Sequence, residues 1–237
     1  MAGPKIRKGK WLWQSLAGSE TDAIAAEYDV GRDLAAEVAR QVRVESDGDA
    51  AALVRRVGSR LAACVANKNR KFTFAVLEGA EPNAFALPGG FIYITCGLIE
   101  LCRSDHDELA FVLGHEMAHV IRGHAMDRIV GDTAVQTLAR TSVVRGALGG
   151  WLKRVGVQFL QSAYSQDREF EADNLGVSLV RAAHFDMAAP ERLLKRLYDL
   201  DRQGRLSELT KYFSSHPPLS ERANAAAQTA ASRTASR

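Results

Sequence analysis

The stretch Leu113-Gly114-His115-Glu116-Met117-Ala118-His119-Val120 carries two histidines four positions apart, with a glutamate directly after the first. On an α-helix, residues four apart share one face, so both imidazoles can reach one metal ion while Glu116 points beside it. That placement suits Glu116 to activating water, and the pattern reads as the metal helix of a zinc peptidase. Working outward, Asp105 stands at the N-cap and Glu108 at the third helical position, a capping-box-like start. Leu109, Ala110, Val112, Leu113, Met117, Val120 and Ile121 supply apolar surface for a buried helix, which the periodicity carries from Asp105 to Ile129. Imidazoles on such a helix need partners, because burying an unpaired polar group is costly.

A catalytic zinc site takes three protein ligands and keeps a fourth position for water, so a third ligand is required. The metzincin pattern would place it six residues after the second histidine, behind a glycine. Gly123 and His124 fall one residue out of that register, position 125 is Ala125, and a continuous helix rotates His124 well off the ligand face. The better candidate is Ser165-Gln166-Asp167-Arg168-Glu169-Phe170-Glu171-Ala172-Asp173, where Glu169 and Asp173 stand four apart on an expected helix. Glu169 can ligate, and Asp173 is placed to accept the second N–H of His115 or His119. Glu171 projects from the other side, toward solvent. The plain alternative for this run is an ordinary solvated acidic face.

Four stretches together resemble one family, the gluzincin endopeptidases that include HtpX, the CaaX prenyl proteases and their soluble bacterial and mitochondrial relatives. They are Asn83-Ala84-Phe85-Ala86-Leu87-Pro88-Gly89-Gly90, Leu109 to Gly114 running into the histidine motif, Arg168-Glu169-Phe170-Glu171-Ala172-Asp173, and Ser215-His216-Pro217-Pro218 with Glu221-Arg222. Their order and spacing match from about Phe72 to Arg222. The resemblance implies one zinc ion per chain, held by His115, His119 and Glu169, with Glu116 as base; Asp173 keeps the supporting role its spacing gives it. It implies a minimal zincin-like fold of the α+β class, mostly helical, with a small sheet over the active-site helix. The expected organisation is one compact unit, with a helical segment 1–70 packed on a peptidase core 71–230 and a frayed tail 231–237.

In such a site zinc supplies Lewis acidity, and Glu116 takes the proton of the attacking water and passes it to the leaving amine. Three roles are open to His216: oxyanion donor, further zinc ligand, or structural residue. Asn83 to Leu87 and Phe91 to Thr95 read as short strands around Pro88-Gly89-Gly90. An edge strand there can pair with an extended peptide substrate. On that reading, replacing Gly89 with Val should impair cleavage more than zinc binding.

Further helices are expected over Thr21 to Val44, Asp49 to Ala66, Trp151 to Arg181, Ala188 to Asp201 and Leu219 to Ala230. With 237 residues, 46% of them hydrophobic, the chain can bury a substantial core, and no linker splits it. A net charge of +3, with dispersed basic residues, gives no ground for nucleic-acid binding. Cys64, Cys96 and Cys102 form no CxxC pair, which fits a reducing compartment. Trp11-Leu12-Trp13 is too brief an apolar run for a secretory or membrane-spanning segment, so a cytoplasmic setting is expected.

From Thr133 to Gln166 no acidic residue occurs, and Arg140, Arg145, Lys153 and Arg154 are spaced among apolar residues, with glycines marking a bend. This basic amphipathic stretch can lie on an anionic membrane surface, or instead pack on the core or cover the cleft. The contrasting functional class is a zinc-bearing, chaperone-like protein that holds peptides without cutting. It would be free to lose Glu116, which this chain retains.

Overall fold

The computed structural model describes residues 19–131 and 164–202. The Trp11–Trp13 run, nearly all of Thr133 to Gln166, the Leu219 to Ala230 helix, His216 with its Pro-Pro stretch, and the tail lie outside them. Within the described residues the order is α1 (Glu20–Gln41), β1 (Val44–Glu45), α2 (Asp49–Ala63), β2 (Thr73–Leu77), β3 (Ala84–Leu87), a short turn (Pro88–Gly90), β4 (Phe91–Thr95), α3 (Cys96–Leu101), α4 (His106–Ile121), α5 (His124–Gly131), α6 (Gln166–Ala182) and α7 (Ala189–Arg202). This is the mostly helical α+β architecture expected from the sequence.

The four strands lie in the order β1-β2-β4-β3, with β2 parallel to β4 and the other two pairs antiparallel. Successive residues of a strand face opposite sides, and here both sides are covered. Leu77, Phe85, Leu87 and Tyr93 face Val30, Leu34 and Val38 of α1. Val76, Ala84, Ala86, Ile92 and Ile94 face the larger core of α2, α4, α6 and α7, which includes Leu61, Leu109, Leu113, Met117, Val177 and Leu194. Double burial explains why Ala84-Phe85-Ala86-Leu87 is an unbroken apolar run rather than an alternating one. β3 ends this sheet, yet all four of its residues are buried, so it is not an open edge of the kind the substrate-pairing reading calls for.

The turn at Pro88–Gly90 is fixed by backbone sterics. Gly89 sits at φ 74°, and a Cβ there would stand 2.4 Å from the Tyr28 Cα of α1. A left-handed conformation and backbone overlap together should cost about 2–5 kcal/mol for a branched side chain. Gly89→Val is therefore expected to lower the melting temperature by about 5 °C or more, measured by circular dichroism on protein without added metal. An unchanged melting temperature would refute the close packing of the turn on α1. This corrects the expectation of a selective effect on cleavage: the substitution strikes the fold first and does not isolate strand pairing.

The metal helix also departs from its expected form. Asp105 caps it, accepting from the backbone N–H groups of Asp107 and Glu108. The Glu108 carboxylate does not return to the cap. It is buried and takes both guanidinium nitrogens of Arg196 from α7, one at 2.9 Å, so a local signal became a long-range tie between helices. The helix expected to run to Ile129 ends at Ile121, because Gly123 adopts φ 78°, the left-handed geometry that closes helix C-termini. α5 then starts afresh at His124.

Candidate metal centre

α4 is buried along nearly its whole length, which is why its sequence is apolar on every side rather than on one stripe. His115, Glu116 and His119 are buried with it. Such groups are stable in a core only if polar partners arrive from elsewhere, and α6 brings them. Glu169, Asp173 and Gly176 stand at positions i, i+4 and i+7 of α6 and so share one face. At Gly176 a Cβ would lie 3.0 Å from the His115 backbone nitrogen, and at Gly114 one would lie 3.3 Å from the Gly176 carbonyl oxygen. Two glycines facing each other let the helices approach closely enough for carboxylate side chains to span the gap; a branched residue at either position would force them apart.

His115 Nε2, His119 Nε2 and the Glu169 carboxylate converge. The two nitrogens are 3.1 Å apart, His115 Nε2 lies 3.3 Å from Glu169 Oε2, and His119 Nε2 lies 3.6 Å from Glu169 Oε1. These three side chains form the group among the described residues that could hold a metal ion. On the far side of the ring, His115 Nδ1 donates to Asp173 Oδ1 at 2.8 Å, which leaves Nε2 as the nitrogen facing the cluster. The sequence left Asp173 the choice between His115 and His119, and the fold pairs it with His115.

Electrostatics show what the donor set lacks. Burial pulls the His115 imidazolium down, but its bonds to Asp173 and then Glu169 outweigh that and raise it to about 10. His119, buried and beside His115, is held well below its ordinary value. The enclosed carboxylates Asp173 and Glu169 against His115, with Glu116 buried beside them, favour positive charge: with only protons available His115 carries it, and a dication bound between the three donors would carry it better. The donors fit a cation of that kind.

Two residues the sequence did not assign complete the surroundings. His124, placed off the ligand face by a continuous helical wheel, is returned by the break at Gly123, and its Nδ1 lies 3.1 Å from His119 Nδ1. A glycine followed by a histidine, read as a helix stop rather than as a failed metzincin register, was the available signal. Tyr164 stacks on His119 with ring centroids 3.9 Å apart and planes 16° from parallel. Its phenol is buried, which raises its pKa, as does the nearby charge of Glu116. Glu171 is exposed, as expected of the outer side of α6, and meets His124 Nε2 at 3.5 Å. Glu116 is buried on α4 beside His115. His216 lies outside the described residues.

A buried helix with two histidines that converge on a carboxylate from a second, crossing helix, with a further carboxylate behind one ring, is the arrangement of the single-metal hydrolase class of zincin type. Residues 49–230 match Peptidase family M48, and the chain belongs to that family. The chain is 31% identical over 170 residues to the mitochondrial metalloendopeptidase OMA1 of Schizosaccharomyces pombe, covering 71% of this chain and 50% of that protein. It is 31% identical over 155 residues to the metalloprotease LoiP of Escherichia coli, covering 63% and 59%. A putative beta-barrel assembly-enhancing protease of Vibrio cholerae is 29% identical over 175 residues, covering 69% and 34%. The chain thus spans between about a third and three fifths of the length of these relatives. The resemblance carried by the four sequence motifs is borne out. No helix among the described residues is long and apolar enough to cross a membrane.

Proposed function

We propose that this chain is a zinc-dependent metalloendopeptidase in which His115, His119 and Glu169 hold one zinc ion, Glu116 is the general base and Asp173 orients His115. The observation that carries it is the set of donor separations, 3.1, 3.3 and 3.6 Å. A tetrahedron whose centre lies ~2.0–2.1 Å from each corner, the zinc–nitrogen and zinc–oxygen distance, has an edge of about 3.3 Å. Calcium, at ~2.3–2.6 Å with six to eight oxygen ligands, fits neither the spacing nor the imidazoles.

When bound, the cation supplies Lewis acidity toward water and toward a peptide carbonyl. The residues do the rest. Glu116, held off the ligand set by the helical offset from His115, takes the proton of the attacking water and later gives it to the departing amine. Asp173 keeps the His115 proton on Nδ1, so that Nε2 presents its lone pair. Protein or peptide chains are the substrate class that membership of the family supports. The names of the relatives, metalloendopeptidase and metalloprotease, support the same reading. Helices α1 and α2 pack on the sheet and core, in keeping with an N-terminal segment 1–70 that forms one unit with the peptidase core 71–230.

Cleavage of unfolded casein by the purified chain, lost on chelation and restored by added zinc, is the expected result. A zinc-loaded chain that binds casein but leaves it intact would favour the peptide-holding alternative. Zinc affinity should also rise with pH. His115, raised to about 10, must release its proton to ligate, so below that value each zinc bound displaces a proton. Apparent affinity is then expected to climb about tenfold per pH unit through the neutral range, measured against a calibrated chelator. A flat profile would show that His115 does not carry that proton.

A cytoplasmic setting is part of the proposal and rests on three free cysteines, Cys64, Cys96 and Cys102. Peripheral contact through 133–166 rests on its basic amphipathic composition. Sedimentation with anionic vesicles at low salt is expected, and no association would remove that part.

A further inference from the structure

We propose that His124 is a positioning residue for the metal centre: its Nδ1 accepts the Nδ1–H of His119 and so fixes the tautomer and ring direction that turn His119 Nε2 toward Glu169 and His115. The inference rests on the zinc-peptidase reading and extends it to a residue beyond the ligand set, its base and Asp173.

The geometry leaves little choice of proton placement. The two Nδ1 atoms are 3.1 Å apart, so one proton lies between them and one ring donates while the other accepts. His119 Nε2 points into the cluster, 3.1 Å from His115 Nε2 and 3.6 Å from Glu169 Oε1. A nitrogen that ligates must offer a lone pair, which puts the His119 proton on Nδ1 and makes His119 the donor. His124 Nδ1 is then the acceptor, and the His124 proton sits on Nε2, facing Glu171 Oε2 at 3.5 Å. The chain of contacts runs from the ligand cluster through two imidazoles to a carboxylate that is 56% exposed at the surface.

An ordinary buried histidine would be satisfied by whatever polar group lay nearest. Three observations separate His124 from that case. Its inner nitrogen meets the second nitrogen of a ligand candidate, the place where metal-bound imidazoles take their outer acceptor and where His115 has Asp173. The helix that bears it is tied to the helix bearing Glu169 by Arg168 and Asp127 at 2.7 Å, which holds α5 at the site. Tyr164 stacks on the remaining face of His119, so the ring is fixed in azimuth by His124 and in tilt by Tyr164.

Charge explains why the acceptor is an imidazole here and a carboxylate on His115. Glu116, Glu169 and Asp173 are all buried at the site, which therefore already holds as much carboxylate as a dication can offset. A further carboxylate against His119 would leave the enclosed site with excess negative charge, whereas a neutral imidazole supplies the lone pair without it.

The test measures zinc affinity by competition with a chelator at fixed pH, with circular dichroism confirming the fold of each variant. His124→Phe, which keeps ring bulk without an acceptor, should bind zinc ~10–100-fold more weakly than the native chain. His124→Asn places Oδ1 where Nδ1 stood and should recover most of that loss, an outcome that a merely space-filling role would not produce. Glu171→Gln should have a smaller effect than His124→Phe, because an exposed partner is screened. Native-like affinity in His124→Phe, or equal weakness in the Phe and Asn variants, would overturn the proposal. Nitrogen-15 spectra of the zinc-loaded native chain read the same assignment without any substitution. His119 should carry its proton on Nδ1 and His124 on Nε2, and a His124 protonated on Nδ1 would overturn the role even if both variants failed to fold. A native chain that binds no zinc would take the metal-site reading down with it, whereas zinc held as tightly by His124→Phe removes only the role of His124.

Discussion

Glu116→Gln is expected to retain about one zinc per chain while losing casein cleavage by roughly 10²–10⁴-fold, the usual contribution of a positioned acid–base group. The separation of the two readouts follows from the helix. Glu116 stands one residue from His115, and so about 100° around α4 from the proposed ligand face, beside it rather than on it. Gln keeps its shape and can still hydrogen-bond, but it cannot take a proton from water. Zinc lost together with activity would make Glu116 a ligand or a structural support, and activity retained would place the base elsewhere. Because Glu116 is buried, removing its charge should not destabilise the fold, and the melting temperature of the variant serves as the control.

Glu169→Ala should produce the largest loss of metal. A structural zinc site of four ligands is worth about 10–16 kcal/mol, so one ligand contributes ~2.5–4 kcal/mol, or roughly 10²–10³-fold in affinity, and the same scale applies to Glu169. Asp173→Asn, which only weakens the orientation of His115, should cost ~10–100-fold and so fall below it. Stability should move the other way. Glu169 is fully buried, and without a cation its carboxylate is a charge demand on the site that the His115 proton helps to meet. Truncating it relieves that demand, so the melting temperature without zinc is expected to stay level or rise, while the increase on adding zinc disappears. Zinc binding by Glu169→Ala at native affinity, measured against a chelator, would remove Glu169 from the ligand set.

Much of this site was legible locally. His115, Glu116 and His119 are a spacing on one helix, and Glu169 and Asp173 are a spacing on another, so one helical period suffices to read both. Strand β4 lies over Phe91–Thr95 as the β-branched and aromatic run implies, and the Asp105 cap is where the sequence puts it. β1, β2 and α3 carry no such local signal. β1 has two residues, and Thr73–Leu77 becomes a strand by pairing in parallel with β4, a partner its own sequence does not name. Glu108 was read as a cap residue, and the fold gave its carboxylate to Arg196, 88 positions away.

By itself, the sequence determined the helix that bears the histidine pair, the acidic helix, the strands that flank Gly89 and the family, because each is written in short-range periodicity and residue type. Tertiary structure alone decided which imidazole nitrogen meets which partner. The approach of α4 and α6 at Gly114 and Gly176 joined Asp173 to His115, across 58 positions. The left-handed turn at Gly123 sent His124 back to His119, where a continuous helix would have carried it away. Hydrogen-bond geometry depends on tenths of an ångström between elements distant in sequence, and spacing within one element cannot encode it.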